Sequence, residues 1–138
     1  MITTVDVETS WQVTSTGGYD PSPFHPDNIL VSVGINDEYY FTNHSERIDK
    51  GCYHNIQSVL DKTTLLIGHN IKFDLMWLLE SGFKYNGRVY DTMLGEYILN
   101  RGIRKSLTLE MSCRRRRIGS KDNRIKEFTD RGIPFQNI

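Results

Sequence analysis

The sequence has few cysteines and no long apolar run, and each absence excludes a class of protein. Only Cys52 and Cys113 occur in 138 residues, far apart and without metal-ligand spacing. This excludes a disulfide-built scaffold and favours a reducing, cytoplasmic location. No stretch approaches the roughly 18 apolar residues that a bilayer-crossing helix needs. The first residues also lack the basic and apolar regions of a signal peptide. We therefore expect a cytoplasmic chain without membrane contact.

The chain also lacks net charge and internal repeats, but its charges are unevenly distributed. Residues 1–80 hold 11 acids and 4 bases, whereas residues 81–138 hold 6 acids and 13 bases. A carboxylate-rich half beside a basic half fits a metal site next to a phosphate-binding surface, and it fits two ordinary solvated faces equally well. The hydrophobic fraction of 38% suits a single core, so we expect one domain over residues 1–138.

Hydrophobic periodicity predicts an α/β fold with a mixed sheet. Gly and Pro mark residues 14–28 as a loop, and Gly82 stands where a helix would end. A helix stripe of Ile71, Leu75, Leu78 and Leu79 is predicted to face the core. The predicted strands are 2–7, the hairpin 29–35 and 38–42, then 65–67 and 89–90; the predicted helices are 52–62, 70–81, one after Asp91, and one from near Ser106 into Arg114–Arg117.

Two acids on the first predicted strand are the first candidate site. Asp6 and Glu8 are two residues apart, so both carboxylates project from one face while Val7 enters the core. Neighbouring carboxylates repel each other unless a cation lies between them, and oxygen ligands favour Mg²⁺ or Mn²⁺. A solvated pair at a strand end is the alternative interpretation.

A second polar cluster lies where the 65–67 strand meets the clearest helix. Asn70 and Asp74 are four residues apart and would share one helix face. Asp74 is expected near the core boundary. The alternative is that Asn70 caps the helix and Asp74 is a solvated acid favoured by the helix dipole. His69 is expected to form local hydrogen bonds.

A third segment carries two more acids, which we expect to be structural. Asp91 is predicted to cap the helix that follows it, and Glu96 to be a surface acid. On a helix, at most two side chains of the run Arg114–Arg117 can face one ligand. A nucleic-acid contact and a solvated surface are equally compatible with that run.

Together the three segments resemble the proofreading 3′→5′ exonuclease domain of family A DNA polymerases, including those of phages. The likeness consists of Asp6-Val7-Glu8-Thr9, then Asn70 through Phe73-Asp74, then Asp91-Thr92-Met93-Leu94 through Asn100, in the order the family has them. Weaker likeness continues through Ser106–Leu109 and Lys121–Arg124 to Pro134. The family belongs to the DEDD, or DnaQ-like, exonuclease superfamily.

The resemblance implies a ribonuclease H-like mixed sheet flanked by helices and a metal-dependent exonuclease that acts on DNA 3′ ends in replication. Asp6, Glu8 and Asp74 would be the catalytic residues and would bind two Mg²⁺ or Mn²⁺ ions. Thr9, Asn70 and Phe73 would bind the terminal nucleotide, although we favour packing of Phe73 against the helix. The implied substrate is the 3′ end of single-stranded DNA.

The sequence departs from this family pattern near its end. The family has a fourth carboxylate in a later helix, with Tyr or His four residues before it. Here the last acid is Asp130, and Lys126 stands at the aromatic position. We therefore expect an exonuclease-like domain that lacks its last helix at the C terminus. A polymerase domain or a second polypeptide would supply that helix. An exoribonuclease of the same superfamily and a non-catalytic nucleic-acid-binding remnant of a split polymerase remain alternatives.

Overall fold

Strand β1 (Ile2–Thr9) has two chemically different faces. The computed structural model describes residues 1–45, 48–119 and 124–137, with the backbone only for 124–126 and 135. Along β1 the buried residues alternate with more exposed ones: Val5 and Val7 are buried, Asp6 is exposed and Glu8 is half-buried. The predicted separation of valines and acids onto opposite faces of the strand is confirmed.

In the described residues the main sheet has five strands, and β1 is the middle one. The others are β4 (Leu30–Ile35), β5 (Glu38–Phe41), β6 (Leu65–Gly68) and β7 (Arg88–Asp91), and a separate small sheet pairs β2 (Gln12–Val13) with β3 (Tyr19–Asp20). The order of the main sheet is β5-β4-β1-β6-β7, where β4 and β5 form the predicted hairpin. The pairs β1–β4 and β4–β5 are antiparallel, whereas β1–β6 and β6–β7 are parallel.

Over the ranges that the structure describes, five helices follow or join these strands. The order strand, hairpin, helix, strand, helix, strand, helix is the predicted one. The helices are α1 (Cys52–Lys62), α2 (Ile71–Glu80), α3 (Thr92–Leu99), α4 (Leu109–Arg116) and α5 (Arg124–Asp130), followed by a 3₁₀ turn at Phe135–Asn137. A mixed sheet flanked by helices confirms the ribonuclease H-like α/β architecture. Residues 121–123 and the side chain of Lys126 lie outside the described part of the chain.

The hydrophobic core lies between one face of the sheet and helices α1 and α2. Its buried members alternate along β1 and recur at helical spacing on the two helices, as amphipathic elements require, whereas all six residues of β4 are buried. They are Val5, Val7, Leu30, Val33, Ile35, Cys52, Ile56, Leu60, Leu66, Ile71, Trp77, Leu78 and Phe83.

Two local predictions need correction. The segment 14–28 is not entirely loop, because Tyr19–Asp20 pairs with Gln12–Val13. In α2, Leu79 is 47% exposed, whereas Trp77 is buried and donates its indole N–H to the Pro21 carbonyl at 3.0 Å. The helix is therefore rotated so that its tryptophan faces the core, and it also fastens the loop that follows β3.

A buried asparagine orders the loop beside the end of β1. The Nδ2 of Asn28 donates to the carbonyls of Asp20 (2.9 Å) and Ser22 (3.0 Å), while its Oδ1 accepts from Ser10 and Gln12, both at 3.3 Å. These bonds fix the loop to the chain that immediately follows the β1 acids.

Within the residues described, no helix combines the length and the apolar character that crossing a membrane requires.

Leu78 and Leu79 provide a matched test of the orientation of α2. Leu78 is fully buried and Leu79 is half-exposed, so Leu78→Ala is expected to lower the free energy of unfolding by about 2–5 kcal/mol. Leu79→Ala is expected to change it by less than about 1 kcal/mol. Urea unfolding of both variants measures the difference. Equal losses would contradict the orientation of the helix.

Candidate active site

Asp6 and Glu8 lie on the face of β1 that points away from the core. Their partners on β4 are small, since Asp6 pairs with Gly34 and Glu8 with Ser32. The register shifts between Glu8 and Thr9, and Thr9 is buried. A bulge at this point re-aims the chain as it leaves the sheet, a common feature beside active sites.

Asp74 reaches β1 from the first turn of α2. Its Oδ1 accepts a hydrogen bond from the Val7 backbone N–H at 2.9 Å, and the side chain is only 4% exposed. Pairing of β1 with β6 extends only to Thr4 and Ile67, so the Val7 N–H lies beyond that ladder and needs another acceptor. Asp74 supplies it and thereby lies beside the residue that separates Asp6 from Glu8.

Burial is the main influence on the ionisation of Asp74. It raises the pKa of this carboxyl from 3.8 to about 7, assisted by the charges of Asp6 and Asp91 and opposed by the hydrogen bond from Val7. The carboxyl therefore carries a substantial proton population near neutral pH. A nearby positive charge would favour the ionised form.

The described carboxylates are the type of ligand that a divalent cation prefers, but they are not arranged as a complete ion-binding group. Among the side chains that the structure describes, no three His, Cys, Asp or Glu residues form a group that could hold a metal ion. The acids on β1 and α2 nevertheless offer only oxygen ligands, which Mg²⁺ and Mn²⁺ prefer. Burial, assisted by the charges of Asp6 and Asp91, raises the pKa of Asp74 and so disfavours its ionised form in the metal-free protein.

A cavity of about 390 Å³ opens beside the β1 acids. Asp6, Glu8 and His69 form one part of its lining. The rest comes from α4 and the residues after it: Leu109, Glu110, Cys113, Ile118 and Gly119. A larger cavity of about 480 Å³, lined by residues such as Leu60 and Phe83, contains neither of the β1 acids. The smaller cavity is therefore the relevant one.

Asn70 occupies the predicted helix boundary but not as a side-chain cap. It has left-handed backbone angles (φ 61°, ψ 45°), and its side chain makes no capping hydrogen bond. Its N–H donates to Oδ1 of Asp91 at 3.0 Å. Asn70 therefore precedes the helix and does not share a helical face with the buried Asp74, which corrects that expectation. It is exposed at the entrance to α2.

Phe73 is half-buried and packs against the hydrophobic core. The favoured prediction was packing against the helix; contact of Phe73 with a nucleotide stays a prediction.

Asp91 and His69 tie the site to the elements that follow it. As predicted, Asp91 caps α3, accepting from the backbone N–H of Met93 (2.8 Å) and Leu94 (3.4 Å). The His69 ring forms hydrogen bonds with Thr92 Oγ1 (Nδ1, 2.9 Å) and the Leu107 carbonyl (Nε2, 2.6 Å). The expectation of local hydrogen bonds is therefore wrong, because the two partners lie 23 and 38 residues further along the chain; His69 also lines the cavity.

Glu96 is not the surface acid that the sequence predicted. It is buried, and it is the buried residue of α3, while Leu94, Ile98 and Leu99 of that helix are 56–71% exposed. Its carboxylate pairs with Arg115 at 3.1 Å and Arg116 at 3.2 Å. Burial acts to raise the pKa of Glu96, but the hydrogen bonds and charges of the two arginines outweigh it and lower the pKa below 4.5.

The arginine run is therefore partly occupied within the protein. Arg115 and Arg116 bind Glu96, and Arg114 forms an exposed pair with Glu110 at 2.8 Å. Arg117 ends α4 in a left-handed conformation. Two of the four arginines, Arg115 and Arg116, are therefore engaged by Glu96 and do not support the hypothesis that the run contacts nucleic acid.

Sequence reasoning missed Tyr39 of β5 as a neighbour of the acids. Burial, then the charges of Glu8 and Asp6, raise the pKa of Tyr39 to about 12. Its partner on β4 is Gly34, which in turn pairs with Asp6. Tyr39 could have been found only from the alignment of the hairpin with β1, and that alignment requires knowledge of the strand register.

A ribonuclease H-like sheet with acids on its central strand and a third acid from the adjacent helix has the architecture of a nuclease domain. Residues 16–110 match the model of a family described as 3′-5′ exonuclease, which is the exonuclease of family A polymerases. The match covers more than half of the chain, and the chain belongs to this family. No curated protein matches the chain.

The matched segment contains part of the candidate site. Asn70, Phe73, Asp74 and Asp91 fall inside it, whereas Asp6 and Glu8 precede residue 16. The association of the β1 acids with Asp74 therefore rests on the hydrogen bond between Val7 and Asp74.

Asp74 gives the metal-free protein a predicted dependence of stability on pH. Because its folded pKa of about 7 exceeds the ordinary value of 3.8, the folded state holds more protons between these values. The free energy of unfolding should then fall as pH rises from about 4 to 7. In Asp74→Asn we expect the free energy of unfolding to fall less over this pH range, by roughly 1–3 kcal/mol. One pKa unit is worth about 1.4 kcal/mol, and screening by solvent reduces the total.

Urea unfolding in EDTA across this pH range measures the effect. Glu80→Gln, which removes an exposed acid from the same helix, is the control and should retain the wild-type slope. An unchanged slope in Asp74→Asn would contradict the perturbed carboxyl.

Glu96 should show the opposite dependence on pH. Its pKa is lowered in the folded state, so its contribution to stability is present above about pH 4.5 and is lost as pH falls through the lowered pKa. We expect Glu96→Gln to melt below wild type near pH 7, and the gap to narrow in acid. Thermal melting measures it, with Glu110→Gln as the exposed-pair control that should cost no more than about 1 kcal/mol. A gap independent of pH would contradict the ion pairs.

Proposed function

We propose that this exonuclease-family chain is a metal-dependent, proofreading-type 3′→5′ exonuclease domain that removes nucleotides from single-stranded DNA ends during replication. The observation that carries this proposal is the hydrogen bond between Val7 N–H and Asp74 Oδ1. It brings the carboxyl of α2 to the strand segment from which Asp6 and Glu8 project. We further propose that residues 1–138 form one exonuclease-like domain.

The three acids are the proposed catalytic and metal-binding residues. Asp6 and Glu8 share one face of β1, and Asp74 approaches from α2. Two Mg²⁺ or Mn²⁺ ions bound there would acidify a water and neutralise charge on the phosphodiester. The buried position of Asp74 holds its carboxyl fixed, so little ordering remains when an ion and a substrate enter.

The cavity beside the acids is the proposed site of the 3′-terminal nucleotide. Hydrolysis joins a water oxygen to phosphorus, breaks the bond to the 3′ oxygen of the preceding nucleotide, and releases a 5′-nucleotide. Asn70, exposed at the start of α2, and Thr9, at the β1 bulge, are proposed to position that nucleotide. Phe73 is proposed to support them from the core side.

A polymerase domain, or a second polypeptide that completes the ligand set, is the proposed partner. In the described residues Glu110 lines the same cavity as Asp6 and Glu8, but it pairs with Arg114. A fourth carboxylate supplied from outside these residues would neutralise the ions more fully.

The proposal predicts metal-dependent release of nucleotides that depends on Asp6 and Asp74. Loss of a group that only supports a metal ligand costs about 10–100-fold, so Asp6→Asn and Asp74→Asn should each lose more than about 100-fold. Asparagine at position 74 can still accept from Val7, which separates loss of charge from loss of fold. Degradation of 5′-labelled single-stranded DNA in Mg²⁺ or Mn²⁺ measures the activity.

Controls and contrary outcomes follow from the same assay. Glu80→Gln should retain activity, because it removes an exposed acid at the far end of α2. Equal activity of wild type and Asp6→Asn would defeat the assignment. Preference for a matched RNA would indicate an exoribonuclease. Salt-sensitive binding without cleavage in millimolar Mn²⁺ would indicate a binding module instead.

A further inference from the structure

Three strands place an acid, a glycine and a tyrosine in one row beside the candidate site. Asp6 on β1 pairs with Gly34 on β4, and Gly34 pairs with Tyr39 on β5. Residues paired across neighbouring strands project from the same face of a sheet. The backbones of β1 and β5 are about 10 Å apart, since adjacent strands are separated by roughly 4.8 Å. A tyrosine side chain can cover much of that gap.

The tyrosine ring covers the glycine. A Cβ atom built on Gly34 would lie 2.8 Å from Cε2 and 3.3 Å from Cζ of Tyr39. The ring therefore extends across β4 in the direction of β1. The φ angle of Gly34 is not in the left-handed region, so its backbone is open to other residues and the space taken by the ring is what excludes a side chain.

Tyr39 lies beside a second aromatic ring and has an accessible surface. It contacts Phe41, which lies two residues further along the same strand, with ring centroids 6.4 Å apart. Tyr39 is also 51% exposed, so a ligand at the acids can reach it. The charges of Glu8 and Asp6 also act on its phenol, in keeping with a ring that extends towards β1.

We propose that the Tyr39 hydroxyl is a substrate-contacting group that donates a hydrogen bond to the phosphate of the 3′-terminal nucleotide, and this rests on the proposed exonuclease function. A phosphate that approaches Asp6 and Glu8 meets two negative charges. A neutral donor beside them offers attraction without adding a charge, and hydrogen bonds to charged groups are the stronger ones. The sequence also provides a test of position, because Gly34 determines where the ring can lie.

Tyr39→Phe removes the hydroxyl and keeps the ring. Loss of a hydrogen bond to a charged group predicts about a 10–100-fold weaker contact. Because the contact is made to bound substrate, we expect KM to rise by about that factor with a smaller change in kcat. The matched control is Tyr40→Phe, since Tyr40 is the next residue on β5 and packs on the opposite, core side. It should leave KM unchanged.

Gly34→Ala tests the same contact without altering Tyr39. The new methyl group would displace the ring, so the variant should reproduce the rise in KM. In a Tyr39→Ala background the ring is absent, and Gly34→Ala should then add little. This non-additivity is the expected result of a double-mutant cycle between residues in contact. Independent, additive effects would overturn the inferred role of the ring position.

A binding measurement separates this inference from the exonuclease proposal. Fluorescence anisotropy in Mg²⁺, with an oligonucleotide whose terminal linkage is a cleavage-resistant phosphorothioate, gives Kd without turnover. Tyr39→Phe should weaken Kd about 10-fold or more. The effect should be smaller for a methylphosphonate linkage, which lacks the negative charge but keeps one phosphoryl oxygen as an acceptor.

The outcomes are distinguishable. Cleavage by wild type with unchanged KM and Kd in Tyr39→Phe would overturn this inference and leave the exonuclease proposal intact. If the wild type does not cleave but Tyr39→Phe still raises Kd as expected, the exonuclease proposal is defeated and the tyrosine contact is retained. A Tyr39→Phe effect of undiminished size with the methylphosphonate would show a structural role and overturn the charge-assisted phosphate contact.

Discussion

The hydrogen bond from the Val7 backbone to Asp74 joins the two elements that build the site. Parallel pairing between β1 and β6 ends before Val7, which leaves a backbone N–H in a buried region. An unpaired buried N–H costs about as much as a lost hydrogen bond, so the start of α2 is held against β1 by this need as well as by its apolar face. The same bond keeps an acid buried beside two others. One hydrogen bond therefore both satisfies the Val7 backbone N–H and brings a third acid to the site.

The wall of the cavity that α4 forms depends on an unusual burial pattern in α3, where an acid is buried and apolar residues are exposed. Helix α3 buries Glu96 and exposes several large apolar residues, because two arginines of α4 converge on that carboxylate. A buried acid is tolerated only when it is paired and hydrogen-bonded. This ion-pair cluster orients α4, and α4 in turn lines the cavity opposite the β1 acids. His69 adds a second link through its bond to the Leu107 carbonyl.

The hairpin contributes small side chains beside the candidate site. Between the acids of β1 and the aromatic pair of β5, strand β4 presents Gly34 and Ser32. Larger side chains there would fill the space between the acids and the aromatic rings. The ring of Tyr39 occupies part of that space, so a residue without any role in the sequence motifs becomes a neighbour of the candidate active site. Family membership is supported mainly by the middle of the chain, and this region supplies both Asp74 and the hairpin.

Local periodicity in the sequence determined the elements, and the tertiary structure decided their relations. Alternation in β1 separated Val5 and Val7 from Asp6 and Glu8, and the turn residues located the hairpin and the cap at Asp91, because these preferences act within a few residues. The roles of Glu96, Trp77 and Tyr39 could not be read in this way. Glu96 is buried only because Arg115 and Arg116 fold back onto it, Trp77 because a distant loop accepts its N–H, and Tyr39 joins the site only through strand register. Each depends on contacts between residues far apart in the chain, which no local pattern encodes.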